Sequence, residues 1–166
     1  MANIALDGTP TTTNGTLPDI GAPCPEFTLT NKDLSSVTLN DYKGKKLVIS
    51  MFPSVETGVC SEALHTFNER ASSHKDTVIL CVSKDLPFSQ TRFCTADEIN
   101  NLEVLSDFRT GQFGRDFGVV IESGAFEGLL ARGVVVTDAN HKVVYTELVP
   151  DIAQTPDFDG ALNALL

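Results

Sequence analysis

Lys46-Leu47-Val48-Ile49-Ser50-Met51-Phe52-Pro53-Ser54-Val55-Glu56-Thr57-Gly58-Val59-Cys60 is the stretch on which the fold turns. Its first half is a short apolar run rich in branched side chains, suited to a central strand. Pro53 has no N–H to give to a ladder, so the strand is expected to stop there. From Val59 onward Ala63, Leu64, Phe67 and Ala71 recur at helical spacing, which predicts a helix running on towards His74 with one stripe packed against a sheet. Thr57 ahead of Gly58 fits an N-cap and puts Cys60 in the first helical turn.

That position bears on the chemistry of the thiol. A helix N-terminus presents unpaired backbone N–H groups and the positive end of the macrodipole, and both favour an anion. A thiol of pKa about 8.5 is roughly 3% thiolate at pH 7, whereas one of pKa about 6 is roughly 90% thiolate. The difference is about 3.4 kcal/mol in favour of the anion. The Thr57 hydroxyl can reach the space beside the sulfur, and Pro53 can shield it from one side. Read as structure alone, Cys60 is equally a small core hydrophobe, because free cysteines are often buried.

Pro53-x-x-x-Thr57-x-x-Cys60 resembles the active-site signature of the peroxiredoxins, in which the cysteine attacks a peroxide. The longer string Phe52 to Cys60 resembles the bacterial thiol peroxidase (Tpx) branch, an atypical 2-Cys family. So does Asp85-Leu86-Pro87-Phe88-Ser89-Gln90-Thr91-Arg92-Phe93-Cys94, where that branch carries its resolving cysteine. Gly128-Leu129-Leu130-Ala131-Arg132 and Gly21-Ala22-Pro23 ahead of Phe27-Thr28-Leu29 match two further blocks, all in family order. The resemblance implies an α/β, thioredoxin-like fold: a central mixed sheet flanked by helices, with an N-terminal β-hairpin. It implies that Cys60 reduces the peroxide and that Cys94 of the same chain then captures its sulfenic acid as a disulfide. Arg132 matches the family's arginine, which residue pattern alone does not distinguish from Arg109 or Arg115. Thioredoxin as electron donor and a homodimer are implied as well, and no flavin, haem or metal is expected. Three departures stand out. Gly133 occupies a position where the family usually has alanine, Asn140-His141 replaces an Asn-Gly turn, and Cys24 and Cys81 are extra thiols.

Such a peroxidase needs a thiolate, donors that polarise the O–O bond and a route back from sulfenic acid. Cys60 is the candidate for the first, with Thr57, Pro53, the helix-start N–H groups and Arg132 for the second. Disulfide geometry demands Cα atoms about 4.4–6.8 Å apart, so one or both cysteine segments are expected to unwind, Asp85 to Thr95 before the other. Cys81, mid-strand, is the runner-up resolver. Phe52, Phe88, Phe93 and Leu130 are candidates for an apolar approach that would admit organic hydroperoxides beside hydrogen peroxide; ordinary core is the alternative for all four.

The composition bounds the remaining choices. A chain of 166 residues is expected to form one domain, 18–166, preceded by a hairpin or tail over 1–17. Its net charge of −10 argues against nucleic acid and anionic membranes as partners. The four cysteines contain no C-x-x-C, which disfavours zinc. The start of the chain does not read as a signal peptide and nothing reads as a membrane span, so a cytoplasmic protein is expected.

Around the central strand, short strands are expected at 27–30 and 37–39, with a hairpin of 3–6 and 11–13 turning at Gly8 and Pro10. A polar turn fills 41–46. An apolar strand over 77–83 carries Cys81, and its order after the helix suggests a crossover and parallel pairing. Phe88, Phe93 and Ile99 are read as one face of a short helix bearing Cys94. A brief strand at 104–107, a short helix ending at Gly118, strands 131–137 and 142–146 around a turn, and a closing helix from Pro156 complete the order. Two rivals remain: a thiol–disulfide oxidoreductase of the same fold, disfavoured by the missing C-x-x-C, and a non-enzymatic sensor switched by the Cys60–Cys94 bond.

Overall fold

Two short strands at the amino end, β1 (Asn3–Leu6) and β2 (Thr9–Thr12), pair antiparallel across a two-residue Asp7-Gly8 turn, both residues at positive φ. Pro10 lies inside β2 opposite Ala5 rather than in the turn, a place that a two-stranded ribbon tolerates. The hairpin is fastened to the body. Ala5 N–H donates to Pro150 O at 2.8 Å, and the Asp151 carboxylate accepts from the N–H groups of Asp7 and Gly8.

The chain continues through β3 (Thr28–Thr30), β4 (Ser36–Thr38), a 3-10 turn (Leu39–Tyr42), β5 (Lys46–Met51) and α1 (Gly58–Ala71). It then forms β6 (Thr77–Ser83), α2 (Pro87–Ala96), β7 (Glu103–Ser106), α3 (Gln112–Phe117), β8 (Gly133–Thr137), β9 (Val143–Leu148) and α4 (Phe158–Asn163). The structure, a computed structural model, describes residues 1–71 and 75–165, without the side chains of 58–61 and 71. The Cys60 thiol, Val59 and Ala71 of the expected stripe, and the continuation to His74 therefore lie outside the described residues.

Seven strands form one mixed sheet in the order β4-β3-β7-β6-β5-β8-β9. The parallel pairing that strand–helix–strand order predicts holds for β5 with β6 and for β6 with β7, while β8 runs antiparallel beside β5. Continuous apolar runs suit these strands because both faces are covered. Leu47, Ile49 and Met51 of β5 point into one layer with Phe27, Phe113 and Phe117. Val48 points the other way, into a layer with Leu64 and Phe67 of α1 and with Ala161 and Leu162 of α4. The alternation of period two in β5 thus assigns each helix its side of the sheet.

Three further elements differ from the expected reading. The 3-10 turn stands where part of a polar turn was expected, capped by the Asp41 carboxylate accepting from Thr38 N–H at 2.8 Å. Helix α3 covers only the last part of its segment. The Asp107 carboxylate accepts from Phe113 N–H and Gly114 N–H at its start, and Gly118 ends it at φ +70°. A Cβ on Gly118 would lie 2.3 Å from Thr16 O, so the amino-terminal segment and this helix end can cross only at glycine. Helix α2 does not present Phe88, Phe93 and Ile99 as one face: Phe88 is 68% exposed, and Pro87 and Gln90 are the buried residues. Positions 88 and 93 lie five residues apart, well off a common helical stripe.

Candidate active site

Strand β5 ends at Met51 opposite Gly133 of β8. Phe52 N–H still donates to Val82 O at 3.1 Å, and the chain then leaves the sheet at Pro53, which is buried. A short loop, Pro53 to Thr57, delivers the backbone to α1, so Cys60 stands in the first turn of a helix that starts where the central strand stops. Thr57 immediately precedes the first helical residue. Its hydroxyl donates to Ser54 O at 3.1 Å, leaving the oxygen lone pairs available to accept.

Arg132 enters the same end of the sheet. It immediately precedes Gly133, which pairs with Met51 at the end of β5, and by the alternation of side chains it belongs to the same side as Val134 and Val136, which face α1. Its side chain is only 2% exposed, and its Nε and Nη2 both donate to Ile152 O, at 3.1 and 2.9 Å. This two-pronged grip aims a buried cation. Arg109 and Arg115 are exposed, donating to Leu34 O and Thr110 O respectively. Three arginines that sequence pattern left equivalent are thus separated by burial alone.

Cys94 lies on α2, half-buried, with its thiol free. Burial pushes this thiol up from its ordinary pKa, the Asp97 carboxylate adds to the effect, and the Lys32 ammonium opposes it. It opens on a cavity of about 1000 Å³ lined among others by Lys32, Gln90, Ile99 and Glu103. Cys24 and Cys81 are buried free thiols. Burial pushes Cys24 up to about 12 and Cys81 higher still, so neither is primed as a nucleophile.

The four apolar candidates do not gather in one place. Phe52 is buried in the α1-side layer, and Phe93 packs partly buried against the same layer. Leu130 is buried in the opposite layer, and Phe88 faces solvent. Among the described residues no group of three or more His, Cys, Asp or Glu side chains could hold a metal ion. No helix among them is long and apolar enough to cross a membrane.

Sequence reasoning passed over Asp85. Its carboxylate accepts from Ser54 Oγ at 2.7 Å, Val55 N–H at 2.9 Å and Ser83 Oγ at 2.6 Å. In the sequence it stands out only as the first residue of the Cys94 string and of the segment expected to unwind. The Ser83-Lys84-Asp85 spacing hints at a local turn but says nothing of the loop across the sheet end. His65 Nε2 meets Asp97 Oδ2 at 2.8 Å, tying α1 to the end of α2.

The Redoxin family profile matches residues 19–165. The chain is 48% identical over 165 residues to a thiol peroxidase of Corynebacterium glutamicum, with 99% of each chain covered. It is 50% identical over 165 residues to a thiol peroxidase of Mycobacterium tuberculosis, again with 99% of each covered. Among solved structures, a peroxiredoxin-like protein from Aquifex aeolicus superposes with a TM-score of 0.92 at 37% identity, covering 98% of this chain and 95% of that one. A thiol peroxidase from Chromobacterium violaceum superposes at 0.90 with 20% identity, covering 97% and 93%, a likeness of fold.

Proposed function

The chain belongs to the Redoxin family, among its thiol peroxidases, and on that premise we propose that Cys60 is the thiolate with which it reduces hydroperoxides. What supports this assignment is that α1, with Thr57 just before it, begins past the end of β5 at Met51, and that the buried Arg132 precedes Gly133, the partner of Met51. Helix N–H groups and the guanidinium favour a thiolate over a thiol. The sulfur attacks the terminal peroxide oxygen, the O–O bond breaks, and the leaving oxygen takes a proton to become an alcohol or water. Charge grows on that oxygen as the bond stretches. Thr57, able to accept a peroxide hydrogen, and Arg132, able to stabilise the charge, act on that bond, each contributing on the order of 10²-fold in rate by analogy with oxyanion-hole donors. Pro53, buried beside them, keeps water off one side.

The sulfenic acid on Cys60 is two electrons more oxidised than the thiol. Cys94 displaces its oxygen as water and forms the Cys60–Cys94 disulfide, and a dithiol reductant returns both sulfurs to thiols. Thioredoxin is the reductant we assign, from family membership. Hydrogen peroxide and organic hydroperoxides are the substrates, with Phe52 and Phe93 as the apolar wall. The molecule is assigned to the cytoplasm, where free thiols such as Cys24, Cys81 and Cys94 persist. A homodimer is supported by the exposed apolar pair Leu86 and Phe88.

Peroxide consumption coupled to thioredoxin oxidation tests the assignment. Cys60→Ser is expected to show no turnover. Cys94→Ser is expected to form one sulfenic acid per chain and then stall with thioredoxin. Undiminished activity in Cys60→Ser would falsify the proposal.

A further inference from the structure

We propose that Asp85 is a positioning residue for the chemistry at Cys60: it latches the Pro53–Thr57 loop onto the segment that carries Cys94, and its release precedes disulfide formation. The inference rests on the peroxidase reading of Cys60 and Cys94.

The hydrogen bonds form a relay. Ser54 organises the loop: its Oγ accepts from Glu56 N–H at 3.1 Å, and its carbonyl accepts from Thr57 N–H at 3.4 Å and Thr57 Oγ at 3.1 Å. Ser54 is in turn held by Asp85, through Oγ to Oδ1 at 2.7 Å, while Val55 N–H donates to Oδ2 at 2.9 Å. Fixing this loop fixes where α1 starts, and hence which N–H groups face the residue in its first turn. Thr57, the loop's last residue, has no other hold among the hydrogen bonds described than Ser54 O. Asp85 therefore acts on Cys60 through Ser54 and Thr57, as a positioning residue.

The other side of the latch is the Cys94 segment. Oδ2 of Asp85 also accepts from Ser83 Oγ at 2.6 Å, and that oxygen accepts from Gln90 Nε2 at 3.2 Å. Gln90 is buried and stands one turn before Cys94 on α2. The Asp85 main chain is itself gripped, its carbonyl accepting from Ser106 Oγ. A carboxylate at the head of the Cys94 segment that takes hydrogen bonds from the loop and from Ser83 at the end of β6 is a strong clasp while all partners are present. It is also a single point of failure. If α2 unwinds, Gln90 leaves, and the same event loosens the seat of the loop that Cys60 must leave in order to reach Cys94.

The test is a two-step rapid-quench experiment with hydrogen peroxide, scored by alkylation and mass spectrometry, since the chain has no tryptophan to report by fluorescence. It compares the parent chain with Asp85→Ala, Asp85→Asn, Ser54→Ala and Cys60→Ser. Asp85→Ala is expected to slow Cys60 oxidation at least tenfold while Cys60–Cys94 condensation runs at least as fast as in the parent. Asp85→Asn, which keeps one acceptor oxygen and the same shape, is expected to recover part of the oxidation rate. Ser54→Ala is expected to slow oxidation a few-fold. Parental oxidation rates in both Asp85 variants overturn the proposal. So does a fall of both steps by one common factor, the sign of a purely structural loss. If the parent consumes no peroxide, or Cys60→Ser consumes it, the peroxidase reading itself has failed, whatever the Asp85 variants do.

Discussion

A lysine at position 132 would keep the charge and lose the fork. Nε and Nη2 of Arg132 share Ile152 O, and an ammonium has one nitrogen to replace two rigidly spaced ones. Arg132→Lys is therefore expected to lower kcat/KM for hydrogen peroxide by roughly 10²-fold, equivalent to about 2.7 kcal/mol of lost transition-state stabilisation. Steady-state kinetics checks it, and activity within threefold of the parent would remove Arg132 from the mechanism. At Cys94 the electrostatics run the other way. Burial and then the Asp97 carboxylate hold this thiol protonated beyond its ordinary range. Because the thiolate is the nucleophile, condensation with the Cys60 sulfenic acid is expected to quicken as pH rises above neutrality. Asp97→Asn removes a charge that disfavours the anion, so the pH midpoint of that step moves down and its rate at pH 7 increases; quench-flow alkylation reads both.

The elements that would have to separate for the proposed disulfide are joined largely by polar contacts, beside the partly buried Phe93 and Cys94 that pack against the layer of Leu64 and Phe67. Helix α2 offers little to the core: only Pro87 and Gln90 are buried, with Phe93 and Cys94 half-covered. Among the described residues its polar links to α1 and the preceding loop include the Asp85 clasp, Arg92 facing Glu56 at 3.7 Å, and His65–Asp97. Beyond the helix end, the Asn68 side chain accepts from Asn100 N–H and Asn101 N–H. Such links come from polar side chains that water solvates about as well, so breaking them is far cheaper than exposing an apolar seam. Gln90 Oε1, buried without a hydrogen-bond partner among the described residues, weakens the helix further. Amides of α2 are expected to exchange at least tenfold faster than those of β5 and β6 in the reduced protein, and faster again after oxidation. Hydrogen exchange followed by mass spectrometry decides this. Equal protection of α2 and β6 in the oxidised protein would contradict the unwinding of the Cys94 segment.

For the whole molecule, buried protons set the alkaline limit. Burial raises the Cys24 thiol to about 12 and raises Cys81 and Tyr42 as well. Each group is held neutral in the fold and ionises at lower pH once exposed. The unfolded chain therefore binds fewer protons above about pH 9, and stability is expected to fall as pH climbs from there towards 12. Urea midpoints across that range test the trend, and Cys24→Ala should make the slope shallower whatever it does to the absolute midpoint. Assembly is the other property at this scale. Leu86 and Phe88 project 48% and 68% exposed from the start of α2. Phe88→Asp is expected to shift the proposed homodimer towards monomer in sedimentation, and an unchanged sedimentation coefficient would place the dimer contact elsewhere.

Much of this protein was legible from local order. Branched apolar residues over 46–51 and 77–83 can only be buried strands, a proline after Phe52 ends the first of them, and the spacing of Ala63, Leu64 and Phe67 makes the helix. The period of side chains along a strand or helix is fixed by backbone geometry, so these readings need no neighbours. The Asp138-to-His141 turn was equally plain, although it is closed by His141 at φ +61° where glycine is usual, its ring meeting Tyr42 O at 2.9 Å. Other features depend on residues far apart in the chain. The burial that separates Arg132 from Arg109 and Arg115 comes from packing between sheet and α1 face, and the exposure of Phe88 from how α2 rolls onto β7. The reach of Asp85 to Ser54 and Val55 exists only because β5 and β6 run parallel and end together. Periodicity records which way a side chain points along its own element; what it meets there is decided when separate elements pack.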